Sequence, residues 1–169
     1  MEIREAELSD VLGITELINS VSKEEIHQTI NWIKTADERR ELFKVYLKKA
    51  EKGRKIMFVC IEDDKLIGSA SASRKSGKRN HVWEIGYQIK KEWRGKGVGS
   101  GLLSKLLKSL KNMKAEQAIA WVVETNKNSI KLLRKFGFKE TGKIKNGVKT
   151  GSNYCDYLIF QLELNALKK

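Results

Sequence analysis

Residues 83–101 read Trp83-Glu84-Ile85-Gly86-Tyr87-Gln88-Ile89-Lys90-Lys91-Glu92-Trp93-Arg94-Gly95-Lys96-Gly97-Val98-Gly99-Ser100-Gly101. The period of the pattern changes halfway through. Up to Ile89 the residues alternate, with Trp83, Ile85, Tyr87 and Ile89 on one face and Glu84, Gly86 and Gln88 on the other, as in a strand. Gly95, Gly97, Gly99 and Gly101 then fall at every second position. They lead into Leu102, Leu103, Leu106, Leu107, Leu110 and Met113, which repeat at helical spacing with lysines between them. A strand, a glycine-rich turn and a helix start together make anion-binding geometry. Unpaired backbone N–H groups and the positive end of the helix dipole converge on one spot. Glycines let the backbone turn sharply and let a pyrophosphate approach closely.

Upstream, residues 2–8 alternate as a half-buried strand does. Ser9-Asp10 offers a helix cap before Val11, Leu12, Ile14, Leu17, Ile18 and Val21. Residues 24–52 read as one or two helices with a break near Thr35-Ala36-Asp37, and Ser22-Lys23-Glu24-Glu25 as a helix start. Residues 55–61 and 66–73 form a hairpin around the polar turn Glu62-Asp63-Asp64-Lys65, followed by a basic loop over 74–80. Downstream come a strand over 118–123 and an amphipathic helix over 126–136 closed by Gly137. Two strands over 138–145 and 154–164 flank an Asn146-Gly147 turn. The order of elements is that of a mixed α/β domain, expected as one unit over residues 1–169.

The chain has 169 residues, 40% of them apolar, enough for one substantial core and too few for two ordinary ones. No apolar run reaches the roughly 18 residues of a membrane span. The start, Met1-Glu2-Ile3-Arg4-Glu5, lacks a secretory pattern, so a cytoplasmic protein is expected. Cys60 and Cys155 read as reduced structural thiols, and His27 and His81 lie too far apart for a metal pattern, so no metal is expected. The formal charge of +13 favours anionic partners. The lysines are spread along the chain, which favours a solvated surface over a nucleic-acid footprint.

Three phosphate-loop readings compete for the glycine stretch. A P-loop ends in Gly-Lys-[Ser/Thr], whereas Lys96 is followed by Gly97. A dinucleotide fingerprint needs a third glycine where Ser100 stands, and Glu124 follows at too long a spacing. The third pattern, [Gln/Arg]-x-x-Gly-x-[Gly/Ala], is met in full by Arg94-Gly95-Lys96-Gly97-Val98-Gly99. It is the acetyl-CoA loop of the GNAT N-acetyltransferases, and the chain resembles that family. Asn126-Lys127-Asn128-Ser129, followed by Gly137-Phe138, is similar to the family's Asn-x-x-[Ala/Ser] helix ending in Gly-Phe. The close match covers residues 82–138.

The resemblance implies a central mixed sheet of six or seven strands flanked by helices, with the fourth and fifth strands splayed apart. Acetyl-CoA is the implied cosubstrate, its pantetheine arm lying in the splay. A bulge in the fourth strand is expected to free backbone groups around Gln88, Ile89 and Lys91 that bind the pantetheine and polarise the thioester carbonyl. The N–H groups from Gly95 to Gly101, thus Lys96, Val98, Gly99 and Ser100 among them, are expected on the pyrophosphate behind Arg94. Asn126 and Ser129 are expected beside the cofactor. Lys96, Lys131, Arg134 and Lys135 are candidates for its phosphates or plain solvated charges.

The implied reaction is direct attack of a primary amine on the thioester. Glu84 occupies the place of a glutamate that serves many members as base; the bland alternative is a strand-face carboxylate paired with a nearby Lys or Arg. Glu124 is a weaker candidate. Leu133 stands where many members carry a tyrosine that protonates the departing thiolate; either the thiolate leaves without help, or Ser129, Tyr154 or Tyr157 substitutes, the two tyrosines reading equally as packing residues of the last strand. The acceptor region is expected over residues 22–53, the 74–80 loop and the turn from Asn146 to Asn153. Trp32, Trp83 and Tyr154 are candidate pocket residues, with buried core aromatics the favoured reading. A protein N-terminus, an amino acid or another small amine all fit as acceptor. The rival readings are a non-catalytic acyl-CoA sensor on the same fold and a nucleic-acid-binding domain. A homodimer is expected from the family.

Overall fold

Seven strands form one mixed sheet in the computed structural model, which describes residues 1–24 and 35–165. In chain order the elements are β1 (Glu2–Glu5), α1 (Val11–Ser22), α2 (Ala36–Glu51), β2 (Lys55–Glu62), β3 (Lys65–Arg74), β4 (Val82–Ile89), α3 (Val98–Asn112), β5 (Gln117–Val123), α4 (Lys127–Lys135), β6 (Lys139–Thr150) and β7 (Asn153–Glu163). The sheet order is β1-β2-β3-β4-β5-β7-β6. Every neighbouring pair is antiparallel except β4–β5. That pair is parallel because α3 carries the chain back across one face.

Strand alternation sorts the side chains into two layers. Phe58, Ala70, Ala72, Ile85, Ala120 and Phe160 point to one face and pack with Leu102, Leu106 and Leu110 of α3 and Ile130 and Leu133 of α4. On the other face Val59 and Leu66 meet Ile14, Leu17 and Val21 of α1 and Phe43 of α2. Leu102, Leu106, Leu110 and Leu133 are each 0% exposed. Truncating one of them to alanine costs about 2–5 kcal/mol by loss of transfer free energy plus the cavity left behind.

Several local expectations change for identifiable reasons. The first strand stops at Glu5 because the Asp10 carboxylate accepts from the Glu7 N–H at 2.7 Å and takes both arms of the Arg4 guanidinium at 2.8 Å. The same engagement keeps the Asp10 side chain from capping α1. The Asn146-Gly147 pair does not reverse the chain. Asn146 takes φ 53°, its N–H donates to the Asp156 carboxylate at 2.9 Å, and the register slips between Ile144 and Val148. β6 then continues to Thr150, and the true turn lies at Gly151 and Ser152. The break near Thr35 is the start of α2: the Thr35 Oγ1 accepts from the Glu38 N–H at 3.3 Å, and the Glu38 carboxylate accepts from the Thr35 N–H at 2.8 Å. The helix start read at Ser22–Glu25 falls on the end of α1 and, with Trp32 and His27, partly outside the described residues.

Candidate active site

The β4–β5 pairing runs only from Val82 opposite Gln117 to Ile85 opposite Ala120. Beyond it the strands part. Gly86–Ile89 keeps β3 as its partner on one side, and Trp121–Val123 keeps β7 on the other. Among the described residues no strand lies between the edges facing each other across the gap, so their backbone groups, apart from the Ile89 carbonyl that accepts from Arg94, are open to a ligand. The expected bulge in β4 is not the cause: its register with β3 is uninterrupted from Trp83 to Ile89. The groups are freed by loss of β5.

The glycine loop closes the wide end of this gap. Lys91–Trp93 make one tight turn, on the exposed side of which Lys91 stands. Gly95 and Gly97 then adopt φ 75° and 87°, a left-handed backbone that disfavours any side chain, and nothing lies within 4 Å of a Cβ built on either. Gly99 and Gly101 are small for another reason. A Cβ on Gly99 would stand 3.1 Å from Leu132 and one on Gly101 2.8 Å from Ile3. Val98, Gly99 and Ser100 form the first turn of α3, whose N–H groups lack intrahelical acceptors. The Val98 side chain is buried, so that residue offers only its main chain. The Gly101 N–H already donates to the Gly97 carbonyl at 3.0 Å, which narrows the expected phosphate cradle to the residues before it.

Arg94 is placed differently from its neighbours. Its Nε donates to the Ile89 carbonyl at 3.1 Å, and its two terminal nitrogens reach both oxygens of Glu24 at 2.6 and 2.8 Å. The guanidinium thus ties the loop to the residue just past α1. Lys96 lies 4.9 Å from the centre of the Trp93 ring.

Across the gap, Asn126 caps α4 by accepting from the Ser129 N–H at 3.1 Å. The Ser129 carbonyl accepts from the Tyr87 hydroxyl at 3.3 Å, a bond that spans from β4 to α4. Burial raises the Tyr87 hydroxyl above the ordinary phenol value, and its bond to Ser129 only partly offsets this. Sequence reasoning passed over Tyr87 because its strand position reads as core. The usable signal was a polar tip on the residue directly after Gly86. Leu133 is fully buried among core side chains. Among the substitutes, Tyr154 is 59% exposed and lies beyond the end of β5, while Tyr157 stacks at 5.1 Å on Trp121.

The Glu84 carboxylate is ion-paired with the Lys75 ammonium, from the loop between β3 and β4. The pair engages one of the two carboxylate oxygens, Oε2. Glu124 accepts from the Asp156 N–H at 2.8 Å and is committed to holding β7. Arg134 pairs with Glu140 at 3.2 Å, away from the loop. Trp83 is 2% exposed and belongs to the core, so it lines no pocket. Among the described residues no three His, Cys, Asp or Glu side chains come together as a metal site. No described helix is long and apolar enough to cross a membrane.

Comparison with known proteins places these features in a wider set. The profile of the Acetyltransferase (GNAT) family matches residues 23–138. Over 86 residues the chain is 34% identical to a putative phosphinothricin acetyltransferase, YwnH, of Bacillus subtilis (strain 168), covering 51% of this chain and 53% of that protein. Over 106 residues it is 26% identical to the L-amino acid N-acetyltransferase AaaT of Escherichia coli (strain K12), covering 62% of this chain and 65% of that one. The matches therefore span about half to two thirds of those relatives' lengths. A solved structure of YncA, a putative acetyltransferase of Salmonella typhimurium with its cofactor acetyl-CoA, has the same fold. Its TM-score is 0.90 at 23% identity, over 100% of this chain and 96% of the other.

Proposed function

The chain belongs to the Acetyltransferase (GNAT) family, and we propose that it transfers the acetyl group of acetyl-CoA to the primary amine of a small amino-acid-like acceptor. The observation that carries this reading is the parallel β4–β5 pair that parts after Ile85 and Ala120, with the glycine loop and the first turn of α3 at its wide end. The names of the two relatives, a phosphinothricin and an L-amino acid acetyltransferase, support the acceptor class.

In this reading the cosubstrate supplies an activated acetyl thioester. Main-chain N–H groups of Gly95 to Ser100 bind its pyrophosphate, and Asn126 and Ser129 line its path. Main-chain N–H groups at Ile89, on the open edge of β4, and at Lys91, in the turn beyond it, hold the pantetheine and stabilise the oxyanion that forms as the amine attacks, whereas the main chain of Gln88 pairs with Ser69 of β3 and is not available for it. Glu84 takes the amine proton on the carboxylate oxygen outside its pair with Lys75. Tyr87, held protonated by burial, turns its hydroxyl hydrogen from the Ser129 carbonyl to the departing sulfur and gives it that proton, in place of the tyrosine that Leu133 excludes, and solvent reprotonates the phenolate. The whole of residues 1–169 acts as one domain, in the cytoplasm, without nucleic acid or a membrane, and as a homodimer; light scattering on the purified protein tests the last point.

The first experiment is calorimetric titration with acetyl-CoA, repeated on the Gly97→Asp, Gly99→Asp variant, followed by thiol release with a panel of L-amino acids. Saturable binding lost in the variant, with amine-dependent release, supports the proposal. Binding without release on any amine leaves the sensor reading in its place. No binding by the unmutated protein overturns both.

A further inference from the structure

The two faces of β4 open onto different surroundings. Tyr87 and Ile89 pack against the layer that holds α3 and α4, the two helices whose first turns flank the gap. Glu84, Gly86 and Gln88 point to the opposite face, where α1 lies over β3 and β4. On that face Trp121 and Tyr157 are half-buried and belong to neither core cluster. The cofactor enters from the side of the two helix starts. An amine attacking the thioester therefore approaches from the Glu84, Gly86 and Gln88 side.

Two features of that side are unexplained by folding. The side-chain oxygen of Gln88, Oε1, is buried and has no hydrogen-bond partner among the described residues. A buried amide oxygen left without a donor is a cost that native structures rarely retain without a reason. Gly86, two residues earlier on the same face, is exposed and has nothing within 4 Å of a built Cβ. Its φ is not in the left-handed region, so the backbone does not require a glycine there. A strand interior ordinarily favours a side chain, and its absence leaves open space where the strands part.

We infer that the Gln88 side-chain oxygen accepts an N–H of the acceptor's ammonium and that the space above Gly86 receives the acceptor's body, making these two residues determinants of acceptor specificity. The inference rests on the acetyltransferase reading above. It concerns only the side chain of Gln88, whose main chain pairs with Ser69 of β3 and faces away from the gap.

The test measures acceptor KM by thiol release with the best L-amino acid of the panel, alongside the Kd of acetyl-CoA by calorimetry. Gln88→Leu removes the acceptor oxygen at similar size and is expected to raise the amine KM about 10- to 100-fold, the range for a hydrogen bond to a charged group. The Kd of acetyl-CoA is expected to stay within about twofold, since the main-chain contacts remain. Gln88→Glu keeps an oxygen in place and is expected to hold the amine KM near the unmutated value. Gly86→Leu, on a strand position with room for it, is expected to raise the amine KM with the same indifference of acetyl-CoA, and it keeps the test decisive if a Gln88 variant fails to fold. An unchanged amine KM in both Gln88→Leu and Gly86→Leu, or a loss of acetyl-CoA binding equal to the loss of amine binding, overturns the inference while the acetyltransferase reading stands. No turnover of any amine by the unmutated protein removes that reading, and this inference with it.

Discussion

Arg94 is the first residue of the glycine loop, and its side chain makes three hydrogen bonds that none of its loop neighbours make. Replacing it with alanine removes the bond to the Ile89 carbonyl and the two-pronged contact with Glu24. The carbonyl bond contributes about 1 kcal/mol. The Arg94 and Glu24 side chains are 33% and 28% exposed, so the ion pair is partly screened and contributes about 1 kcal/mol, with its fork geometry placing it at the upper end for such pairs. Arg94→Ala should therefore lower unfolding free energy by about 2 kcal/mol, and Glu24→Gln by about 1 kcal/mol. The pair should couple in a double-mutant cycle by about 1 kcal/mol, falling in high salt. Arg94→Lys keeps the charge but loses the fork and should behave more like alanine than like arginine. Urea denaturation with a two-state fit measures each value. Strict additivity of the two single variants, together with salt-independent stability, would refute the reasoning, because the loop would then hold its place without Glu24.

Gly97→Ala forces a side chain into a left-handed backbone with free space around it, so it should cost about 1–2 kcal/mol from conformation alone and weaken acetyl-CoA binding through loop shape; thermal unfolding and calorimetry read the two effects. Tyr87→Phe should lower kcat by at least about tenfold while leaving the Kd of acetyl-CoA unchanged, and an unaltered kcat removes Tyr87 from the proton path. Asp10 is held below the usual carboxylate range: burial works against ionisation, but the Arg4 guanidinium and the Glu7 N–H outweigh it. With the folded value depressed, its stabilisation is complete above the unfolded value and lost as pH falls through the folded one. The stability gap between the unmutated protein and Asp10→Asn should thus be widest near neutral pH and close in acid, as urea midpoints across pH will show. Glu84→Gln removes the proposed base and should lower kcat by at least about tenfold with the Kd of acetyl-CoA unchanged, whereas an unaltered kcat removes Glu84 from the chemistry.

How much of this was legible in advance depended on the range of the interactions. The glycine loop, the strand before it and the helix after it are local patterns, and the structure has them where the periods place them. The seven strands were countable for the same reason. Failures cluster where a side chain outside the repeating pattern decides. Asp10 ends β1 early by reaching back to Arg4 and Glu7, and Asp156 straightens the Asn146-Gly147 site by capturing an N–H from another strand. In the site, strand alternation separated Glu84 from Tyr87 correctly. It had no means of showing that Lys75 would occupy the one or that Ser129 would anchor the other. Leu133 was readable as a missing tyrosine, but the replacement proposed above, Tyr87, lies on a different element, which no comparison along the helix reveals.

The alternation of β4 has a consequence for how such an enzyme changes over generations. On the proposed reading, odd-numbered positions face the core and the cofactor, and even-numbered ones look toward the acceptor. One short strand is thus a two-track record, and the tracks are written independently. Substitutions at 86 and 88 are then free to explore new amines against a constant thioester, so a randomised library is best confined to them. A single inserted or deleted residue would shift every later letter onto the wrong track and erase both functions at once.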